Sequence, residues 1–386
     1  MHRKIKMGMI GGGRGSFIGK VHHIAAILDS QIELVCGAFS SNPDISKQSG
    51  YDYMLSQDRV YRNYKEMIER EKKLPENESM DFVSIVTPNN IHFEPAKLAL
   101  ENGFHVVCDK PMTFNLKEAI ELEQIVNKTG LLFCLTHTYT GYPMIKEAKE
   151  ILKSGKLGKI RKIIAEYIQG WLSRKEEKAG NKQAIWRMDP NQAGISCTMG
   201  DVGVHAFNMI EYLTKLEVKQ VAADLTSFVT GRKLDDDGSV LLRFDNGIKG
   251  ILTASQICAG EENNFSIKIY SEKGGLVWNQ MDPNTLFLKW QDKPMETIRT
   301  GWVDRSNTAS IHTRIPAGHP EGYIEAFANL YRNFAEHLKS VIFNEGFDNK
   351  YDYPTVYDGV RGMAFIQATV DSSKNNSKWI ELSIKK

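Results

Sequence analysis

A short apolar strand that runs into a glycine cluster and then a helix constrains this chain more than any other stretch. Residues 5–10 are mostly apolar and predict a buried strand, and Gly11, Gly13 and Gly15 follow at once. A helical pattern of apolar residues three and four apart begins near Gly19. This order is typical of a dinucleotide-binding unit, because glycines admit a pyrophosphate close to the backbone and the helix N-terminus offers N–H donors.

The glycine turn is longer than the usual G-x-G-x-x-G pattern. Gly11 and Gly13 fit its opening, but the third glycine falls at Gly19, after inserted residues. We expect residues 14–18 to form an extended phosphate-binding loop, with contacts from Ser16 and the backbone around it. Taken alone, the stretch could equally be a flexible turn, because such patterns often occur by chance. The predicted cofactor contacts in this loop are Gly11, Gly13, Gly15, Ser16, Phe17 and Ile18.

Composition limits the class of protein further. The chain has 386 residues, which suggests two or three domains, and its net charge of +2 gives no reason to expect nucleic acid or a membrane surface as a partner. No apolar run reaches the length of a membrane span, and the N-terminus does not resemble a signal peptide. Five scattered cysteines without a CxxC pair predict a cytoplasmic location and no structural zinc.

Strands and helices alternate through the first third of the chain. Their strands are continuously apolar, which predicts a parallel sheet covered on both faces, the doubly wound Rossmann pattern. After about residue 150, alternating strands are joined by short turns, which predicts an open, mostly antiparallel sheet. We therefore expect an α/β protein with a dinucleotide-binding domain over residues 1–140 and a second α/β domain, for substrate binding and oligomerisation, over residues 141–386.

Polar residues follow the third predicted strand, at the sheet edge where open α/β folds bind ligands. Thr87, Pro88, Asn89 and His92 lie there, and Thr87 and Asn89 could bond a ribose or a phosphate. A proline–asparagine turn with a helix cap explains the same residues equally well.

The fourth predicted strand runs directly into Asp109-Lys110-Pro111. Pro111 fixes its own φ and restricts Lys110, so the ammonium is held in one place. Beside a bound nicotinamide, this lysine could hydrogen-bond a substrate oxygen and take part in proton transfer. A surface lysine in a turn is the alternative.

A third group of polar residues lies on a predicted helix over residues 200–214. Asp201 and His205 are four apart and share one helical face, with Asn208 next along. A histidine oriented by polar neighbours is the usual proton shuttle. A capping aspartate with a core histidine is the alternative, and a metal site lacks an obvious third ligand, so we predict no metal.

Aromatic residues with polar neighbours occur in loops of the second domain. Apolar ring faces of a sugar-like ligand pack on tryptophan while its hydroxyls bond polar side chains. Each such residue alone is more often structural. The candidates for substrate binding are Lys110, His137, Tyr139, Trp171, Trp186, Arg187, Asp201, His205 and His319.

Together these motifs resemble the glucose–fructose oxidoreductase / inositol dehydrogenase / MocA (Gfo/Idh/MocA) family over nearly the whole chain. The resemblance rests on Gly19-Lys20-Val21-His22, Thr87-Pro88-Asn89 with His92, Asp109-Lys110-Pro111 and Asp201-x-Gly203-x-His205. It implies hydride transfer between a nicotinamide cofactor and a carbohydrate or cyclitol. It also implies a catalytic set of Lys110, Asp201 and His205, and a homodimer or homotetramer formed through the C-terminal sheet.

Besides the longer glycine turn, the sequence departs from the family pattern in two places. The usual Glu-Lys-Pro is Asp-Lys-Pro here, which keeps the lysine. The second strand ends without the acidic residue that normally binds the ribose of NAD, and without an arginine for a 2′-phosphate. Ser40 could bond either group, so NAD and NADP both stay open, with NAD favoured. The further predicted cofactor contacts are Ser40, Thr87, Pro88, Asn89, His92, Asp109 and Lys110.

The function expected from these observations is that of an NAD(P)-dependent dehydrogenase acting on a secondary alcohol of a sugar or cyclitol such as inositol. Two alternatives remain open. Some relatives on this fold use NAD to cleave glycosidic bonds through transient oxidation, and a non-catalytic sugar or NAD sensor could use the same fold.

Overall fold

The computed structural model describes residues 3–384, which fold as two compact units. The first unit contains the described residues up to Thr138 and residues 324–360, and the second contains residues 139–323 and those from Arg361 on. The sequence division at residue 140 lies close to the first change of unit. The return of residues 324–360 to the first unit has no signal in the local sequence pattern.

The first unit is built on a five-stranded parallel sheet in the order β2-β1-β3-β4-β5. Its strands are almost wholly buried, as expected for strands covered by helices on both faces. This confirms the predicted doubly wound sheet. The strands are Ile5–Gly11 (β1), Ile32–Ala38 (β2), Phe82–Val86 (β3), His105–Cys108 (β4) and Phe133–Leu135 (β5). The helices between them are Phe17–Ile27 (α1), Pro43–Asp52 (α2), Tyr64–Glu71 (α3), Phe93–Glu101 (α4) and Leu116–Thr129 (α5).

Helix α5 illustrates how local sequence sets the ends of these helices. Asn115 is its N-cap and accepts a hydrogen bond from the Glu118 N–H at 3.0 Å, while the Glu118 carboxylate accepts the Phe114 N–H at 3.1 Å. This reciprocal cap satisfies N–H groups that the helix leaves unpaired. The helix ends at Gly130, whose φ of 68° is accessible to glycine at little energetic cost.

A long helix, Tyr323–Ile342 (α11), belongs to the first unit from Ile324 on. Its aromatic residues pack on the sheet: the Phe82 ring of β3 lies 6.5 Å from the Tyr331 ring and 5.1 Å from the Phe334 ring, measured between centroids. These three side chains are almost fully buried. The apolar face of α11 therefore completes the core of a sheet whose own strands lie far away in sequence.

The second unit is built on a nine-stranded sheet in the order β13-β12-β11-β10-β6-β9-β8-β7-β14. Neighbouring strands are antiparallel except for the parallel pair β6 and β9. This confirms the predicted open, mostly antiparallel sheet. The strands are Ile160–Ile168 (β6), Val218–Thr226 (β7), Asp237–Phe244 (β8), Lys249–Ser255 (β9), Asn264–Ser271 (β10), Gly274–Asn279 (β11), Thr285–Trp290 (β12), Glu296–Arg299 (β13) and Ile380–Glu381 (β14).

The remaining helices complete the fold. Helix α12, Val356–Lys374, is held in the second unit by two contacts. Arg361 binds Glu211 at 2.5 Å, and the Phe365 ring stacks on the Phe207 ring with centroids 4.5 Å apart. No helix among residues 3–384 is long and apolar enough to cross a membrane. The helices are Pro143–Lys153 (α6), Lys182–Arg187 (α7), Pro190–Ala193 (α8), Val204–Thr214 (α9), Asn307–Ile311 (α10) and Val356–Lys374 (α12).

His105, the first residue of β4, predicts a pH dependence of stability. Its Nδ1 accepts the Leu132 N–H at 2.9 Å, and burial lowers its pKa from 6.5 to about 4. Between these values the unfolded chain binds more protons than the folded one, so stability falls as the pH falls. The difference corresponds to about 3 kcal/mol lost between pH 6.5 and pH 4.

The variant His105→Asn isolates this contribution, because an asparagine Oδ1 can accept the Leu132 N–H without titrating. We expect the free energy of unfolding by urea to fall less steeply with pH in this variant than in the wild type. Parallel curves for the two proteins between pH 6.5 and pH 4 would contradict the assignment.

Candidate functional site

The turn after β1 and the first turn of α1 pack backbone against backbone. Gly11 and Gly12 have φ angles of 84° and 76°, in the left-handed region that favours glycine. A Cβ atom on Gly19 would lie 2.2 Å from the Cα atom of Gly12. Gly19 thus allows the close helix packing that the third glycine of a dinucleotide motif provides. Gly12 forms the other side of this contact, and the sequence pattern did not single it out.

The inserted loop is fixed to the segment that follows β2. The Gly13 N–H donates to the Phe39 carbonyl at 3.1 Å, and the Arg14 N–H donates to the Ser49 hydroxyl at 3.0 Å. The Arg14 guanidinium binds the Asp52 carboxylate of α2 at 2.6 Å. This ion pair is half exposed and adds little stability, so its main effect is to hold the loop beside α2.

Helix α1 begins at Phe17, and Ser16 is its N-cap residue. The Ser16 hydroxyl accepts the Gly19 N–H at 3.4 Å, Gly15 has a φ of 83°, Phe17 is exposed and Ile18 is half-buried. The first N–H groups of a helix have no partner within it, and the dipole favours an anion there. The loop therefore fits the pyrophosphate of a dinucleotide, because N–H donors lie at the helix start.

Ser40 lies just beyond β2. Its hydroxyl accepts the Asn42 N–H at 3.1 Å, and Asn42 in turn caps α2 by accepting the Asp44 N–H at 2.9 Å. Asp44 is an acidic residue in the first turn of α2. Short polar side chains thus occupy the segment after β2, where the sequence lacks an acidic residue.

His92 connects the loops that follow β3 and β4. Its Nε2 lies 2.8 Å from the Thr87 carbonyl oxygen and its Nδ1 lies 2.9 Å from the Pro111 carbonyl oxygen. The ring is almost fully buried, and burial lowers its pKa. The Thr87 hydroxyl is buried and has no hydrogen-bond partner among residues 3–384. His92 therefore holds the two loops, whereas the Thr87 hydroxyl fits a ligand contact.

The two residues that follow Thr87 start a short helical segment. Pro88 has an extended conformation and is the N-cap of a 3₁₀ turn, Asn89–Ile91, which leads into α4. Asn89 is buried. The predicted Pro-Asn turn is therefore present at the sheet edge, and the structure leaves a ligand role for Asn89 as a prediction.

Asp109 and Lys110 leave the carboxyl end of β4. The Asp109 Oδ1 accepts the Lys110 N–H at 2.9 Å and the Thr136 hydroxyl at 2.8 Å. Burial raises the pKa of Asp109, but the interaction with His22 and the charge of Lys110 outweigh it, so the pKa lies well below its usual range. Asp109 is therefore a carboxylate, and it fixes the backbone of Lys110.

His137 follows β5 near the same edge. It is almost fully buried, and burial together with the charge of Lys110 lowers its pKa to about 3. The imidazole is therefore neutral near pH 7. The first unit thus brings Lys110, Asp109 and His137 together, as their positions after neighbouring parallel strands predict.

In the second unit, Asp201 lies on a π-helical turn, Met199–Gly203, and α9 begins only at Val204. The expected α-helix from Gly200 therefore starts later, and the one-turn spacing of Asp201 and His205 is not that of an α-helix. Such turns often occur at functional sites. The segment before the turn is anchored by Asp235, whose carboxylate accepts the N–H groups of Cys197 and Met199, each at 3.1 Å.

The Asp201 carboxylate is the centre of a polar cluster. Its Oδ2 accepts the Arg187 Nε–H at 2.9 Å and the Gln256 Nε2–H at 3.0 Å. Gln256 is fully buried, and its side-chain amide also donates to the Gln169 Oε1 at 3.1 Å. Sequence reasoning identified Asp201 and Arg187 but missed Gln256, which has no motif around it.

Two tryptophans flank Arg187 in this cluster. The guanidinium carbon lies 4.2 Å from the Trp186 ring centroid and 5.8 Å from that of Trp171. The Trp171 Nε1–H donates to Gln169 at 3.0 Å. Four residues predicted to bind substrate, Trp171, Trp186, Arg187 and Asp201, therefore form one group.

His205 packs against tyrosine rings. Its ring meets the Tyr139 ring edge-on, with centroids 5.0 Å apart, and is 8% exposed. The Tyr139 and Tyr167 hydroxyls bond to each other, and Tyr167 also donates to the Asn263 Oδ1 at 2.8 Å. Burial raises the pKa of both phenols, so they stay neutral.

The last predicted residue, His319, lies elsewhere in the second unit, on an exposed loop where its Nδ1 is 3.2 Å from the Pro316 carbonyl oxygen. Within residues 3–384, no group of three or more His, Cys, Asp or Glu side chains is placed to hold a metal ion. The candidate chemistry therefore rests on the clusters around Lys110, Asp201 and His205.

Comparison with known proteins identifies the family. Residues 5–137 match the model of an oxidoreductase family with an NAD-binding Rossmann fold, and residues 145–277 match the GFO/IDH/MocA C-terminal domain. The uncharacterized oxidoreductase YfiI of Bacillus subtilis is 32% identical over 98% of this chain and 97% of its own length. The chain belongs to the Gfo/Idh/MocA family of oxidoreductases.

Solved structures agree with this assignment. An inositol dehydrogenase homolog from Azotobacter vinelandii, complexed with NAD+, is 32% identical, with a TM-score of 0.94 over 99% of this chain and 98% of that one. A second structure from that organism, with NADH and myo-inositol, has 30% identity and a TM-score of 0.91 over 99% of this chain and 98% of that one. The predicted fold class, family and NAD cofactor are confirmed, and the chain is an oxidoreductase.

The contact between Gly12 and Gly19 predicts the effect of a single methyl group. In Gly19→Ala the added Cβ displaces the backbone of the turn, and we expect the dissociation constant for NAD to rise at least tenfold in a calorimetric titration. The matched control is Gly346→Ala, because a Cβ at Gly346 meets open space. Unchanged NAD affinity in Gly19→Ala would show that the turn does not hold the cofactor.

Proposed function

We propose that the protein is an NAD-dependent dehydrogenase that oxidises a secondary alcohol of a sugar or cyclitol. The observation that carries this proposal is the cluster in which Asp201, Arg187 and Gln256 lie beside two tryptophans. Such a surface suits a ligand with several hydroxyl groups and apolar ring faces. The myo-inositol bound to the Azotobacter vinelandii homolog supports the same substrate class.

The proposed roles follow from the chemistry of each side chain. His205 accepts the proton of the reacting hydroxyl, and the neutral Tyr139 and Tyr167 beside it shield it from water. Lys110 donates a hydrogen bond to a substrate oxygen and stabilises negative charge that develops in the reaction. Asp201 binds a neighbouring hydroxyl and sets the orientation of the ring. When bound, NAD supplies the hydride acceptor.

The cofactor preference follows from the start of α2. The ribose hydroxyls of NAD require hydrogen-bond partners. We propose that Ser40 and Asn42 supply them. Asp44 in the first turn of α2 puts a negative charge at that helix start, which opposes the 2′-phosphate of NADP. We therefore propose that NAD is used in preference to NADP.

The open face of the nine-stranded sheet supports association between copies of this chain. On that face Val277 and Phe287 lie in β11 and β12, and Ile164, Ile251 and Leu241 lie in β6, β9 and β8; none of them is fully buried, and Lys268 of β10 separates the two groups. Exposed apolar groups of this kind are typical of a protein contact. We propose a homodimer or homotetramer through this sheet, and light scattering that gives the mass of a single chain would contradict it.

A cytoplasmic location stays a prediction.

The activity is tested by NADH absorbance with a panel of sugars and inositols. We expect turnover with at least one neutral polyol and a fall in kcat of at least a hundredfold in Lys110→Met, which keeps the apolar stem and removes the ammonium. The exposed Lys128→Met is the matched control and should retain the wild-type rate.

Two results would contradict the proposed function. Absence of NADH formation with every polyol in the panel excludes the dehydrogenase, and hydrolysis of an aryl glycoside without net NADH would indicate the glycosidase instead. A full rate in Lys110→Met would remove Lys110 from the catalytic set.

A further inference from the structure

A buried chain of polar side chains leads from the middle of the first sheet to the residue before Lys110. His22 on α1 is fully buried. Its Nδ1 lies 2.7 Å from the Tyr331 hydroxyl, which in turn lies 2.7 Å from the Ser84 hydroxyl. On its other side, the His22 Nε2 lies 3.9 Å from the Asp109 Oδ1. Helices α1 and α11 and strand β3 thus meet at this chain.

The groups that contact the His22 ring favour one arrangement of its protons. Burial raises the pKa of Tyr331, so its hydroxyl keeps its proton. Because the His22 Nε2 faces the Asp109 carboxylate, the proton of a neutral imidazole is favoured on Nε2, and Nδ1 then accepts from the Tyr331 hydroxyl. That Nε2 has no hydrogen-bond partner among residues 3–384. The Asp109 charge, 3.9 Å away, is the nearest group that stabilises it.

Asp109 transmits this arrangement to Lys110. The same Oδ1 that faces His22 accepts the Lys110 backbone N–H at 2.9 Å. The carboxylate therefore fixes the peptide of Lys110. Because the pKa of Asp109 lies well below its usual range, the charge is present throughout the neutral range.

We propose that His22 and Asp109 act as a coupled pair of positioning residues for Lys110, with Tyr331 and Ser84 holding His22. This inference rests on the proposed catalytic role of Lys110, but the coupling of the pair does not.

The titratable groups around Asp109 come from several elements. They are His22 on α1, His92 at the start of α4, the adjacent Lys110 and Cys108, and His137 after β5. Burial lowers the pKa of His92 and of His137, so neither gains a charge above pH 7.

The test uses Asp109→Asn, which keeps an oxygen acceptor for Lys110 and Thr136 but removes the charge. We expect kcat to fall at least tenfold while the KM for the polyol changes less than threefold, since the loss concerns how Lys110 is held rather than whether substrate binds. The exposed Glu101→Gln is the matched control and should leave both unchanged.

A second measurement separates this inference from the proposed function. The coupling of His22→Phe and Asp109→Asn is measured in the full-length protein by urea unfolding, and the double variant should lose less stability than the sum of the single variants. His22→Gln, which keeps a donor and an acceptor, serves if the phenylalanine variant does not fold. Additive losses would overturn the pair even if the enzyme is active. A wild-type kcat in Asp109→Asn would overturn its action on Lys110.

Discussion

The approach of α1 to the turn after β1 is the contact on which the first unit depends. It is possible only because Gly12 and Gly19 both lack a Cβ. The contact sets the start of α1 at the carboxyl edge of the sheet, where its free N–H groups fit a pyrophosphate. It also places His22, one turn further along α1, against the interior of the sheet, where it meets Tyr331 and Asp109. The contact between Gly12 and Gly19 thus helps to position both the proposed cofactor-binding loop and His22, which faces the residue before Lys110.

The two units stabilise their partly or mostly buried carboxylates in different ways. In the first unit, Asp109 is held by a hydroxyl, a backbone N–H and a buried histidine, so a carboxylate stays charged where it is mostly buried. In the second unit, Asp201 is neutralised by Arg187 and by the amide of Gln256. Both carboxylates are held by at least two protein hydrogen bonds, which favours fixed rather than mobile side chains at the proposed site.

Much of this arrangement could be predicted from the sequence, because the signals are local. The apolar strands of the first sheet, the reciprocal cap at Asn115 and the glycine at position 130 all act within a few residues. The edge motifs at Thr87 and Lys110 could be predicted because parallel strands end at one edge. The family resemblance then linked them to Asp201 and His205.

Other features depend on contacts between distant residues and have no local signal. Residues 324–360 join the first unit because Tyr331 and Phe334 pack on Phe82, more than two hundred positions away. The π-helical turn at Asp201 is held by Asp235, and Gln256 reaches Asp201 only when the second sheet has formed. A pattern that spans ten or twenty residues carries no information about such contacts.

The central claim is that this chain transfers hydride from the carbinol carbon of a neutral polyol to NAD. The most direct measurement uses a polyol deuterated at its carbinol carbons, with mass analysis of the cofactor after turnover. The account predicts that the reduced cofactor carries the deuterium and that Lys110→Met forms almost none. Reduced cofactor without deuterium, or no reduced cofactor from any polyol, would contradict it.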